Sequence, residues 1–216
     1  TNPTTILNLE RTANLLQKAI DKKIPISIFG DYDCDGITAT AILLKTLQSL
    51  GATPAHRLPK RLSEGYGLNP KSIDEFTKGI LITIDNGISA HEAIQKAKDL
   101  GFIVVIIDHH IAGDALPAAD IIVDPHISPD DNGFADYCGA GLALKLAEIM
   151  VEDKDLLEEL TTLAMLGTIA DVVPLVKDNR RIVHEGLKLV NKKPNLCIGL
   201  GQLLSCKELK IINEKD

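Results

Sequence analysis

Three apolar runs in this 216-residue chain each break off at acidic residues. Ile26-Ser-Ile-Phe29 leads into Gly30-Asp31-Tyr32-Asp33-Cys34-Asp35-Gly36, Ile80-Leu-Ile-Thr-Ile84 into Asp85-Asn86-Gly87, and the run from Phe102 to Ile107 into Asp108-His109-His110. Short β-branched runs of this kind read as strands buried on both faces, the condition of a parallel sheet. Helical spacing separates them, so the chain is expected to be α/β, a parallel β-sheet with helices on both faces. Ligands of open parallel sheets bind outside the carboxyl ends of the strands. Five carboxylates and two imidazoles would therefore converge on one crevice, where like charges need compensating cations.

The spacing predicts helices over 8–22, over 36–50 with Gly51 as its stop, over 69–78 with Asn69 as N-cap, and over 89–100 with Ser89 as N-cap. Strands are expected at 54–58 and 121–123 as well as in the three acidic-ended runs. Residues 59–67 read as a Gly- and Pro-containing loop, and 124–138 are also loop-like. From 139 onward the pattern is helical, with pieces near 140–151, 154–168 and 178–191. One domain over 1–216 is expected, with an α/β core over about 1–125 and a helical part over about 139–216. Thr1 is not an initiator Met, and the chain is read as part of something longer.

Net charge is -7, which does not mark the chain as a nucleic-acid binder by bulk electrostatics. It does not exclude a polyanionic substrate, because six of the acids lie in the expected site and two divalent cations would cancel more than half of that charge. Trp is absent and aromatics are only 3%, so stacking platforms for single strands are few. The four cysteines form no zinc-knuckle pair and follow no signal peptide, so a reduced, cytoplasmic setting is expected. No apolar run approaches the ~20 residues of a membrane span.

Asp31, Asp33 and Asp35 permit several readings. Asp-x-Asp-x-Asp-Gly opens like an EF-hand loop, but the twelfth position, where a bidentate Glu belongs, is Ile42, and a strand precedes it. A phosphatase with Asp33 as nucleophile and Asp35 as general acid would also suit a strand-to-helix turn; it leaves Asp108, His109 and His110 without a role. A metal site shared with Asp85 and the His pair uses all three strand ends. A solvated acidic turn is the bland alternative. Asp85 could bridge two ions about 3.5–4 Å apart. Adjacent residues on an extended segment face opposite ways, so one of His109 and His110 can ligate a metal while the other faces substrate. The same alternation turns Cys34 into the core. Gly139 and Gly141 open a helix whose N–H groups could receive a phosphate, or are simply a flexible helix start. Lys60 and Arg61 are the best phosphate contacts by charge, with a solvated loop as the competing reading. His56, His91, His126 and His184 are read as structural or surface residues.

Gly30-Asp-Tyr-Asp-Cys-Asp-Gly36, Glu64-Gly-Tyr-Gly-Leu68, Thr83-Ile-Asp-Asn-Gly-Ile-Ser89, Asp108-His-His110 and Gly167-Thr-Ile-Ala-Asp-Val-Val-Pro-Leu175 together resemble the DHH phosphoesterase superfamily, and within it the RecJ family of single-strand-specific exonucleases. Other branches usually open the first motif with His, where this chain has Phe29. The resemblance implies two Mn2+ or Mg2+ ions held by Asp31, Asp33, Asp35, Asp85, His109 and Asp171, with Asp85 bridging. It implies Asp108 as orienting residue or ligand, and His110 at the scissile phosphate or assisting the leaving group. The implied activity is 5′-to-3′ hydrolysis of single-stranded DNA in repair and recombination. Members of that family continue into a DHH-associated domain and usually an OB-fold, so the catalytic domain alone is expected here. Single-strand-binding protein or helicase partners would engage those further domains. The alternatives are a phosphodiesterase for short oligonucleotides or cyclic dinucleotides, and a non-enzymatic metal-binding module.

Overall fold

A computed structural model describes residues 2–127 and 134–206. Residues 128–133 of the expected loop and the tail 207–216 of the expected helical part lie outside the described residues. Five strands, β1 (Ile26–Phe29), β2 (Ala55–Arg57), β3 (Ile80–Ile84), β4 (Ile103–Ile107) and β5 (Ile121–Val123), form one sheet in the order β2-β1-β3-β4-β5. Every neighbouring pair is parallel. The helices are α1 (Leu9–Asp21), α2 (Cys34–Ser49), α3 (Arg61–Glu64), α4 (His91–Asp99), α5 (Gly139–Met150), α6 (Lys154–Ala170), α7 (Lys177–Lys192) and α8 (Ile198–Cys206).

Strand periodicity sorts the core into two layers, because successive side chains leave opposite faces. Ile26, Ile28, Ile80, Ile82, Ile84, Val105 and Ile107 pack on α1, α2, α5 and α6. Phe29, Leu81, Val104 and Ile106 face the other way, onto Ala93, Ile94 and Ala97 of α4. A smaller cluster of Met165, Val183, Val190 and Leu200 joins α6, α7 and α8. Fully buried Lys145 ties α5 to α7 through Asp178 at 3.1 Å. The α/β architecture with a helical C-terminal portion is the one its sequence predicts.

Local departures have local causes. Helix α2 starts at Cys34, not Gly36, because Asp33 caps it, its Oδ1 accepting from Gly36 N at 2.9 Å. The chain therefore leaves the extended conformation before Cys34, the alternation argument fails, and Cys34 is exposed instead of in the core. The 59–67 loop contains the short helix α3. Asn69 does cap, accepting from Lys71 N and Ser72 N at 3.0 and 3.1 Å. Only a 3-10 turn over Ser72–Glu75 follows, however, because Phe76 turns extended and packs against the second core layer. Ser89 caps nothing: Ala90 N donates to Gly87 O at 3.0 Å, which puts Ser89 inside a turn and Ala90 at the N-cap of α4. Histidines 56, 91, 126 and 184 are all exposed. Among the described residues no helix is long and apolar enough to cross a membrane.

Ile82 is fully buried on central strand β3. Ile82→Ala is expected to lower unfolding free energy by about 2–5 kcal/mol, measured by urea denaturation; a loss well under 1 kcal/mol would contradict this packing.

Candidate metal centre

The hydrogen-bond ladder runs one residue past the strands. Gly30 N donates to Arg57 O, Asp85 N to Ile107 O and Asp108 N to Val123 O, at 3.1, 3.0 and 3.0 Å. The acidic residues after β3 and β4 are thus held in sheet register, and Asp31 follows one residue beyond the ladder of β1. Asn86 Nδ2 ties two of the ends together, donating to Ile84 O at 2.9 Å and Phe29 O at 3.3 Å. Asp85 itself turns out of the strand with φ 61°, a conformation Asp tolerates better than most residues.

Two groups of three donors result. Asp31, Asp33 and Asp85 each bring an oxygen to within 4.8 Å of the others, and Asp35, His109 and Asp171 do the same. They meet at His109 Nε2, which lies 3.0 Å from Asp85 Oδ1, 3.7 Å from Asp35 Oδ2 and 3.8 Å from Asp171 Oδ2. Asp171 arrives from the C-cap of α6, which brings the helical part of the chain into the site. Asp85, His109 and His110 form a further such group.

Burial, reinforced by facing carboxylates, pushes Asp85 and Asp31 above the ordinary carboxylate range. Burial does the same to Asp171, with the Asp35 and Asp33 charges adding to it. Asp31 Oδ1 is buried with no hydrogen-bond partner. A buried, unpaired carboxylate oxygen among repelling carboxylates is what a divalent cation would relieve, and the donor set, five carboxylates and one imidazole, suits a hard ion.

Asp35 is held differently. Its Oδ2 accepts from Gly139 N at 2.6 Å and its Oδ1 from Ala140 N at 2.9 Å, at the N-terminus of α5. Gly141 N donates to Cys138 Sγ at 3.4 Å. This helix start therefore presents neither Gly139 nor Gly141 to a phosphate, because a carboxylate of the chain already occupies it. The close approach needs glycine: a Cβ on Gly139 would stand 2.7 Å from Asp85 Cβ, and one on Gly167 2.6 Å from Asp35 Oδ1.

Asp108 is saturated by donors. Oδ1 accepts from His109 N at 2.8 Å, His110 N at 3.2 Å and His110 Nδ1 at 2.7 Å, and Oδ2 accepts from Ile88 N at 2.9 Å. Burial pushes its pKa up, but the bond and charge of His110 and the two backbone donors outweigh this, and the net shift is downward. The same Asp108 bond raises His110 and favours imidazolium. His109 turns into the carboxylates while His110 stays part-exposed, with the rings 4.5 Å apart.

Two residues escaped the sequence reading. Tyr66 places its hydroxyl 3.3 Å from both ring nitrogens of His110 and 3.4 Å from Asp85 O. Its only sequence signal was membership of the Glu64-Gly-Tyr-Gly motif. Asp124, at the end of β5, is buried with Oδ2 unpartnered and its pKa raised by burial; an acid at a fourth strand end was the available signal. Lys60 and Arg61 sit exposed at the start of α3, with the Arg61 guanidinium 5.2 Å over the Tyr32 ring.

Residues 25–168 match the DHH family, N-terminal domain. The chain is 39% identical over 206 residues to the single-stranded-DNA-specific exonuclease RecJ of Bacillus subtilis, covering 94% of this chain and 26% of that protein. It is similar to a crystal structure of exonuclease RecJ bound to manganese, with TM-score 0.82 and 33% identity over 93% of this chain and 52% of the other. The Thermus thermophilus RecJ complex with Mn2+ superposes with TM-score 0.76 at 31% identity, covering 93% of this chain and 29% of that one. The chain thus spans about a quarter of the length of the Bacillus subtilis relative.

A carboxyl whose folded pKa exceeds its unfolded value stabilises fully below the unfolded pKa and loses that contribution as pH rises through the folded one. Asp31, Asp85 and Asp171 are all shifted in this direction. Asp108, shifted down, acts only below about pH 4. With metal chelated, the melting temperature is therefore expected to fall as pH rises from about 5 to 8. Mn2+ at 100 times its dissociation constant should restore about 2.7 kcal/mol per site. Equal melts with Mn2+ and with EDTA would refute the metal centre. Gly167→Ala is expected to cost about 1–3 kcal/mol by overpacking and to weaken Mn2+ binding through Asp35, both read by calorimetry; unchanged stability and affinity would show that the close approach is immaterial.

Proposed function

We propose, on the premise that this chain belongs to the DHH family, that it hydrolyses phosphodiester bonds of single-stranded DNA from the 5′ end, as an exonuclease of the RecJ type serving repair and recombination. The observation that carries this reading is the meeting of two three-donor groups at the 3.0 Å contact of His109 Nε2 and Asp85 Oδ1. Asp31, Asp33 and Asp85 would hold one divalent cation and Asp35, His109 and Asp171 the other, with Asp85 bridging. Mn2+ or Mg2+ suits donors that are almost all carboxylate oxygens, and a similar structure carries manganese. Such ions, when bound, polarise the phosphate and acidify an attacking water. The single-strand specificity of the relatives supports the choice of substrate.

The chain's own residues do the rest. Asp108 accepts a 2.7 Å hydrogen bond from Nδ1–H of His110, so Nε2, which has only the 3.3 Å contact with the Tyr66 hydroxyl beside it, is the nitrogen that turns to substrate. In the imidazolium form that Asp108 favours, His110 donates to a phosphate oxygen and passes its proton to the departing alkoxide as the P–O bond breaks. Asp108 acts through His110 and is a positioning residue, because its own oxygens are filled by N–H groups. Lys60 and Arg61, exposed at the start of α3, supply positive charge for phosphates farther along the strand.

The test is Mn2+-dependent degradation of a 5′-phosphorylated single strand, its duplex and a dinucleotide, combined with metal counting. Asp85→Ala is expected to lose both ions and all cleavage. His110→Ala should keep both ions and slow cleavage by about 10²–10⁴-fold. Cleavage in EDTA, two ions retained by Asp85→Ala, or equal degradation of the duplex would overturn the reading.

A further inference from the structure

A cavity of about 410 Å³ opens beside His110, within the range of small-molecule sites, about 300–1,000 Å³. Asp108 and His110 belong to its wall, so it is continuous with the candidate reaction centre. The remaining wall has a different chemistry from the carboxylate cluster. Tyr66, Leu68, Ile88 and Ile111 give it apolar surface, and Ser89 contributes a hydroxyl. Leu68 and Ile88 are buried, whereas Tyr66 is 53% and Ile111 84% exposed. Large apolar side chains are thus left open to solvent beside a charged centre.

We propose that this cavity binds the nucleoside next to the scissile phosphate, with its base stacked on Tyr66. The proposal rests on the phosphodiesterase reading above and adds a base-binding subsite to it. The occupant follows from the wall. The neighbouring carboxylates disfavour a bare anion, and the apolar side chains favour a neutral flat ring. The Ser89 hydroxyl, with that of Tyr66 turned to His110, offers little directional readout, so any of the bases fits. Stacking on an aromatic side chain tolerates all four, since every base has a π-face.

The platform is preset. Arg57, at the end of β2, pairs through Nη2 with Glu64 Oε1 at 2.6 Å and through Nε with Glu75 Oε2 at 2.9 Å. Glu64 Oε2 also accepts from Lys60 N at 2.9 Å. These bonds fix the chain two residues before Tyr66, and the Tyr66 hydroxyl contacts His110 and Asp85 O at the far end of its ring. Holding the ring before substrate arrives removes an ordering cost from binding.

The absence of Trp from the sequence supplies the assay. Tyr66→Trp puts a single indole in the cavity wall. Deoxyadenosine 5′-monophosphate with Mg2+, and the uncharged nucleoside deoxyadenosine with EDTA, are expected to quench its fluorescence. Deoxyribose 5-phosphate, which lacks the base, should bind at least about tenfold more weakly, the value of one stacked base. Ser89→Leu in the same background fills the cavity from an exposed turn and should abolish the quench. In the otherwise unaltered chain, an abasic residue beside the scissile phosphate should lower kcat/KM about tenfold or more. Equal response to the two phosphates, a quench indifferent to Ser89→Leu, or equal cleavage of abasic and intact strands would each overturn the subsite. Failure to cut any strand would count against the phosphodiesterase reading, and the fluorescence arms would still decide whether the cavity takes a base.

Discussion

Parallel pairing of β1, β3 and β4 is the constraint on which the candidate centre depends. It aligns three chain exits side by side, and each exit carries an acidic residue whose backbone is still in the ladder or one residue beyond it. Carboxylates that close repel, and burial deepens the penalty by removing the water that would screen them. The fold therefore stores an electrostatic conflict at one edge of the sheet, kept in place by hydrophobic packing on both faces. Raised proton affinity at Asp31, Asp85 and Asp171 is the apo chain's own relief, and divalent cations would be the stronger one.

Other parts of the molecule answer that conflict with dipoles. The N-terminus of α5 neutralises Asp35 through two backbone N–H groups, and glycines at 139 and 167 let helix backbones come close enough to do so. Asp108 is neutralised by Ile88, His109 and His110, and in exchange it aims the His110 ring. Four of the carboxylates, Asp31, Asp33, Asp85 and Asp171, have no such pair of backbone donors and remain the freest to meet an ion. The helical part of the chain is thus built into the centre through α5 and Asp171.

The rim has a second layer of control. Arg57, Glu64 and Tyr66 run from the end of β2 to His110, linking an outer strand to the residue that would meet the phosphate. The apolar cavity beside it separates base from backbone recognition: charged groups address phosphate, and Tyr66 with its neighbours addresses a ring.

From the sequence alone, the continuous apolar runs, buried on both faces, determined the parallel sheet, and the acidic residues after them determined which edge carries charge, because both depend on local pattern. The seams between elements were less legible. Cys34 was misplaced because Asp33 caps a helix and ends the extended chain. The Asn69 helix was overdrawn because Phe76 is drawn into the second core layer. Gly139 looked like a phosphate cradle because nothing local shows that Asp35, 104 residues earlier, fills it. Only the tertiary structure decided the pairing of donors across the chain, the saturation of Asp108 and the arrival of Tyr66 over His110. Those are contacts between residues far apart in sequence, set by how the layers pack, and no local period encodes them.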